Sequence, residues 1–260
     1  MKLIFFDIVG TLISDYKAEI PESAKKAIQK ARENGHICMV NTGRTQKMVG
    51  RELTEQVEFD GYVFGCGTMA TYHDKLLFHD TLTLEQSQRI IDGLQKHRID
   101  AVLEGRDNDY IARPEQMYTD FFKEYARVYR HFEFVDMEGA LGNYDKLYAY
   151  IPDKKQLQAF VEDFSEDLDF IDRENGFYEI VPKDYSKAHG IRHMAELLKI
   201  PMEDTVAIGD SSNDLDMMQC AGISIAMGNA TRQVKDVADY VTTDVDKDGI
   251  WNALNWLGVL

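Results

Sequence analysis

The sequence predicts an α/β fold, a doubly wound parallel sheet interrupted by an inserted α+β module. Three observations predict it. Short apolar runs, LIFF at residues 3–6 and TVAI at residues 205–208 among them, alternate with helical stripes near both ends of the chain, and that rhythm builds parallel sheets. The runs stop abruptly at Asp7, at Asn41-Thr42-Gly43 and at Gly209-Asp210, the strand ends where open α/β sheets bind their ligands. Between about residues 82 and 183 the texture changes to strands and helices whose local pairings close without the first strands.

Each element follows from its pattern. Residues 3–6 form a buried strand, and Ala24, Ala27, Ile28 and Ala31 recur at helical spacing over residues 22–34 before Gly35 stops the helix. Residues 36–40 make a second strand, residues 46–55 a helix and residues 61–64 a third strand. Alternation about His73-Asp74-Lys75 then marks a hairpin within residues 66–81. A helix over residues 84–97 follows, with strands near 101–103, 110–112, 146–151 and 177–181 and helices near 114–130 and 153–164. The rhythm resumes with a stripe of Ala188, Ile191, Ala195 and Leu198 and strands at 205–208, 223–226 and 240–242. The organisation expected is therefore a core of residues 1–81 and 184–260 with an insertion at 82–183.

Composition excludes several classes. A chain of 260 residues can bury a sizeable core, and no apolar run reaches membrane-spanning length. The chain opens directly on a strand, without room for a secretory leader, so a cytoplasmic location is expected. Cys38, Cys66 and Cys220 are three cysteines at wide spacing, which fits neither a disulfide framework nor a paired-cysteine zinc site. A formal net charge of −16 argues against nucleic acids and anionic membranes as partners. An acidic protein still binds phosphate where a metal and a few cations reverse the sign locally.

Four segments carry candidate chemistry. Asp7 ends a core strand, while Gly209 and Asp210 end another just before Asn213 and Asp214 start a helix. These carboxylates make an oxygen-rich pocket of the kind Mg²⁺ accepts, although Asp and Asn are also ordinary helix caps. Thr42 and Gly43 offer a hydroxyl and unhindered backbone N–H groups that suit an anion at a helix start. Lys187 enters a helix at its positive end, where an anion should offset it.

The order Asp7-x-x-Gly10-Thr11, Thr42-Gly43-Arg44, Lys187 and Gly209-Asp210-x-x-Asn213-Asp214 resembles the four motifs of the haloacid dehalogenase superfamily, specifically its Cof-type phosphatases. The insertion is similar to that family's type II α+β cap. The resemblance implies a Mg²⁺-dependent phosphatase of small phosphorylated metabolites such as sugar phosphates. In it Asp7 is the nucleophile that forms an aspartyl-phosphate. Mg²⁺ is held by Asp7, the backbone carbonyl of Val9, Asp210 and Asp214, the last directly or through water. Thr42, Gly43, Lys187 and Asn213 hold the transferring oxygens.

One position departs from the pattern. The residue two beyond the nucleophile is normally a second Asp in this family, and here it is Val9. Alternation along an extended segment puts Val9 on the same side as Asp7, where that acid would protonate the leaving group. An isopropyl group cannot, so slow turnover or a restriction to good leaving groups is expected, with a phosphotransferase or a catalytically impaired phospho-ligand binding protein as alternatives. The insertion should choose the substrate by closing over the site. Arg44, Glu104, Arg106 and Asn175 are loose contact candidates for which surface roles are expected, and His73, His79 and His189 show no metal-ligand spacing. Asn229 reads either as a support for the Asp210 loop or as a plain turn. The pattern leaves the oligomeric state open.

Overall fold

A computed structural model describes residues 1–14, 16–128, 133–135 and 137–260. The chain divides into two compact units, one of residues 1–44, 48–79 and 186–260 and one of residues 45–47 and 80–185.

The first unit is built on an eight-stranded sheet. Its leading strands are β1 (Leu3–Phe6), β2 (Ile37–Asn41) and β3 (Gly61–Phe64), followed by a hairpin of β4 (Met69–Tyr72) and β5 (Lys75–His79). Helix α1 (Glu22–Glu33) lies between β1 and β2 in sequence, and buries Ala24, Ala27, Ile28 and Ala31 as its apolar stripe requires. Helix α2 (Gln46–Thr54) follows β2 and is interrupted at Gly50, whose φ of 59° no regular helix holds. The β4–β5 turn places His73 and Asp74 at φ 47° and 60°, the left-handed pair of a type I′ hairpin.

The second unit contributes α3 (Leu84–His97), β6 (Asp100–Glu104), β7 (Asp109–Ala112), α4 (Asp120–Val128), β8 (Glu133–Val135), β9 (Lys146–Tyr150), α5 (Lys154–Phe164), β10 (Leu168–Asp172) and β11 (Phe177–Pro182). Its six strands run in the order β10-β11-β9-β6-β7-β8, antiparallel except for the parallel β7–β8 pair. Ile90, Ile91 and Leu94 of α3 and Phe160 and Phe164 of α5 join Ala101, Leu103, Leu147 and Ala149 of the sheet in one cluster. Phe122 and Ala126 of α4 join Val102 and Ile111 in another. A Thr83–Gln86 capping box starts α3.

The helix expected over residues 114–130 is not continuous. A short turn at Pro114–Gln116 gives way to extended backbone at Met117 before α4 begins. The cause is buried Asp100, which accepts hydrogen bonds from Tyr118 N (2.9 Å), Thr119 N (2.8 Å) and Thr119 Oγ1 (2.6 Å). Residues 129 and 130 lie outside the described residues.

The first unit then resumes with α6 (Lys187–Leu198), β12 (Thr205–Gly209), α7 (Leu215–Cys220), β13 (Ile223–Ala226), α8 (Arg232–Val237), β14 (Tyr240–Val241) and α9 (Gly249–Leu257). The sheet order is β14-β13-β12-β1-β2-β3-β4-β5, with every pair parallel from β14 to β3. Strands β1 and β12 are buried along their whole length, as in parallel sheets covered on both faces. Sequence order departs from β1 toward β2 on one side and reaches β12 on the other. That reversal is a topological switch point, and its crevice opens at the carboxyl ends of β1, β2 and β12. Among the described residues no helix is long and apolar enough to cross a membrane.

Candidate active site

The three central strands deliver their last residues side by side. Phe6 of β1 is in register with Val40 of β2 and Ile208 of β12. Asp7 follows directly, its N–H donating to Ile208 O at 3.0 Å. The strand goes no further, because Leu12 N and Ile13 N both return to Ile8 O at 2.9 Å and close a turn. Val9 sits past the strand end, half-buried and packed in part against the core. Gly10 adopts φ +81°, and a Cβ there would lie 2.1 Å from Asp210 Oδ2. Only glycine permits both the turn and the close approach of that carboxylate.

Lys187, the first residue of α6, is 1% exposed. Its Nζ lies 2.5 Å from Asp7 Oδ1 and 2.5 Å from Asp214 Oδ1. The offsetting anion expected at this helix start is thus a pair of carboxylates. Asp214 Oδ2 accepts Asp210 N at 2.9 Å and Ser211 N at 3.0 Å, so Asp214 completes a capping box with Ser211 as well as pairing with Lys187. Thr11 Oγ1 donates to Asp210 Oδ1 at 3.1 Å.

The β2 end is braced from two sides. Asn41 Nδ2 donates to the Lys187 carbonyl at 2.9 Å, tying this strand to the first turn of α6. Cys66 N donates to Thr42 O and Gly65 N to Arg44 O, at 3.1 and 2.9 Å. Gly67, at φ +90°, lets that 65–67 turn meet α6 backbone to backbone, since a Cβ there would lie 2.5 Å from Ser186 O. Thr42 Oγ1 accepts Arg44 N at 3.1 Å, which leaves the hydroxyl proton free to donate.

Electrostatics follow from burial. Ligand oxygens of Asp7, Asp210 and Asp214 all lie within 4.8 Å of one another. Among the described residues, one ammonium is paired within this group of three carboxylates, a formal charge of −2. Desolvation pushes Asp7 up to about 6, with the neighbouring Lys187 opposing the rise. Desolvation, helped by repulsion from Asp7 and Asp214, pushes Asp210 up to about 8. The Lys187 ammonium is held well above its ordinary range by the two carboxylates, despite burial that acts the other way.

The structure brings Asp7, Lys187, Asp210 and Asp214 together. Thr42 and Gly43 follow the neighbouring strand end. Asn213 is half-buried, and its Oδ1 accepts the Ser211 hydroxyl. Asn229 donates to Gly10 O at 2.7 Å and accepts Val245 N at 2.9 Å, so it supports the turn after Asp7, while Thr231 N holds the Asp210 carbonyl at 2.8 Å. Glu104 is not at the surface: it is buried in the second unit and pairs with Lys146, which also meets Glu179 Oε1 at 2.9 Å. Arg44 and Arg106 are half-buried, and Asn175 is exposed. Sequence reasoning passed over Asn41, although a lone amide closing an apolar strand was visible. It also passed over Asp216, whose Oδ2 accepts Ala188 N at 3.2 Å at the start of α6.

This fold and this cluster define a hydrolase class. A model of the haloacid dehalogenase-like hydrolases matches residues 4–254, and the chain belongs to that family. YkrA of Bacillus subtilis strain 168 is 29% identical over 276 residues, covering 100% of this chain and 98% of its own length. The 5-amino-6-(5-phospho-D-ribitylamino)uracil phosphatase YcsE of the same organism is 27% identical, with 99% and 96% covered. Among solved structures, BT1666 of Bacteroides thetaiotaomicron, from a study of phosphatases of the HAD enzyme superfamily, superposes with a TM-score of 0.89 at 25% identity, covering 100% of this chain and 96% of that one.

Proposed function

We propose that the protein is a Mg²⁺-dependent phosphatase of small phosphorylated metabolites that works through an aspartyl-phosphate on Asp7. The observation that carries this reading is the buried Lys187 ammonium seated 2.5 Å from both Asp7 and Asp214, beside Asp210. A phosphoryl group arriving there meets a nucleophilic carboxylate and a fixed cation in one place. The phosphatase name of YcsE supports the reaction class, and its phosphorylated small-molecule substrate supports the substrate class.

The donor set fits a hard divalent ion. Its oxygens are carboxylate in kind, and the formal −2 matches the ion's charge. Both oxygens of Asp214 are already engaged, which favours its acting through a water. When bound, Mg²⁺ would supply charge neutralisation for the transferring phosphoryl group, held by Asp7, Asp210, Asp214 and the carbonyl of Val9.

The chain's own residues do the rest. An Asp7 oxygen attacks phosphorus and the bond from phosphorus to the leaving oxygen breaks; water then attacks the phosphorus and returns Asp7 as carboxylate. Lys187 keeps Asp7 ionised and binds a phosphoryl oxygen. The Thr42 hydroxyl and the Gly43 N–H donate to others, and Asn213 contributes its amide. Val9 donates no proton to the leaving oxygen, so that oxygen departs as an anion or takes its proton from water. General acid–base help is worth about 10²- to 10⁴-fold, so alkyl phosphates are slow and aryl or acyl phosphates are favoured. The second unit acts as the cap that selects the leaving group.

The test compares the protein with Val9→Asp. Hexose phosphate hydrolysis should rise by about 10²-fold or more in the variant, with aryl phosphate hydrolysis changing far less. An equal change for both esters would reject the missing-acid account.

A further inference from the structure

Helix α6 carries His189 and His193 on one face, four residues apart, beyond the Lys187 that begins it. Taken with His73 and His79, His189 has no ligand spacing; taken with His193 it has one. The two rings lie 5.7 Å apart between centroids with their planes at 82°, and ligand nitrogens of the two come within 4.8 Å. Two imidazole nitrogens sharing one tetrahedral ion at about 2.0–2.1 Å stand about 3.3 Å apart, within reach of a small side-chain rotation. The His193 ring is already fixed by stacking on Phe78, at 4.1 Å and 16°. Its Nδ1 is buried and makes no hydrogen bond, an arrangement that costs free energy until something occupies the lone pair or the proton. Both residues are half-buried.

We propose that His189 and His193 form a second metal site, selective for a divalent first-row transition ion of the Zn²⁺ or Cu²⁺ kind. Nitrogen donors in a helical i, i+4 pair suit those ions, whereas the oxygen cluster around Asp7 suits Mg²⁺. Water or a further ligand would fill the remaining coordination positions. A bound ion bridges the first two turns of α6 and so stiffens the helix that carries Lys187.

The test is Cu²⁺ titration of the untagged protein in excess Mg²⁺, followed by electron paramagnetic resonance. The expected spectrum is one equivalent of Cu²⁺ with hyperfine coupling to two nitrogens, displaced by Zn²⁺. His189→Gln and His193→Gln should each weaken Zn²⁺ binding by about tenfold or more and leave coupling to one nitrogen at most. Coupling to fewer than two nitrogens in the parent protein overturns the site, and that result needs no variant to fold. Two-nitrogen coupling that persists in both variants places the ion elsewhere and also overturns it.

Discussion

Replacing Lys187 by Met removes the ammonium that pairs with Asp7 and Asp214 in a pocket of three carboxylates, while keeping most of the side chain's volume. Lys187 is 1% exposed and 2.5 Å from each of two carboxylate partners, so the change leaves Asp7 and Asp214 uncompensated in a buried setting. Breaking a buried ion pair by removing one partner costs about 3–5 kcal/mol. At about 2–4 °C per kcal/mol for a chain approaching this size, the melting temperature without divalent ions should fall by roughly 6–20 °C. Phosphate release should fall by about 10²- to 10³-fold, as when one preorganised donor to a transferring oxygen is lost. Adding Asp214→Asn to Lys187→Met should recover part of the lost stability, because the orphaned charge is removed with its partner. Thermal melts of the two single variants and the double variant measure the coupling. A Lys187→Met protein that melts within about 2 °C of the parent would refute the view that Lys187 balances the cluster's charge, whatever happened to activity.

Further outcomes follow from the same geometry. Asp7 and Asp210 are raised to about 6 and about 8 in the folded state; the folded protein therefore binds more protons than the unfolded chain between about pH 4 and 8, and the metal-free protein loses stability as pH rises through that window. Mg²⁺ binds the ionised forms, so the rise in melting temperature on adding Mg²⁺ should be larger at pH 8.5 than at pH 5, and Asp210→Asn should largely remove that pH dependence. Gly67→Ala would place a Cβ 2.5 Å from Ser186 O at φ +90°; a loss of more than about 1 kcal/mol is expected from the backbone strain, read by denaturant titration, with a parallel fall in phosphate release because Ser186 precedes Lys187. In the second unit, Lys146→Met should cost about 3–5 kcal/mol by stranding buried Glu104 and Glu179. An apolar replacement of all three should cost much less, which calorimetry would resolve.

The parts of the fold legible in the sequence are those fixed by local pattern. Strand β3, helix α3 and strand β13 lie where their periodicity and flanking residues put them. Edge strand β10, LDFID, went unread because it is only partly buried and carries acids at its second and last positions. Helix α9 starts from Asp248 in a left-handed conformation rather than from a capping side chain, so no start signal announced it. The break before α4 depends on Asp100, a carboxylate 18 residues from the Tyr118 amide it accepts. For the site, strand-end positions marked Asp7 and Asp210, but the ion pair joins Lys187 to a residue 180 positions away. No local pattern encodes that distance; β2 lies beside β1, and its last residue, Asn41, holds the Lys187 carbonyl. Asn41 and Asp216 act on the backbone of α6, a role that residue type alone does not announce.

The most direct measurement of the central claim is Mg²⁺-dependent phosphate release from an aryl phosphate by the protein and by Asp7→Asn, with acid-quenched samples probed for phosphate bound covalently to the chain. The account predicts metal-dependent turnover, a trapped acyl phosphate on Asp7, and the loss of both in Asp7→Asn. Turnover that survives Asp7→Asn would contradict it, as would binding of the ester without release or covalent capture of phosphate.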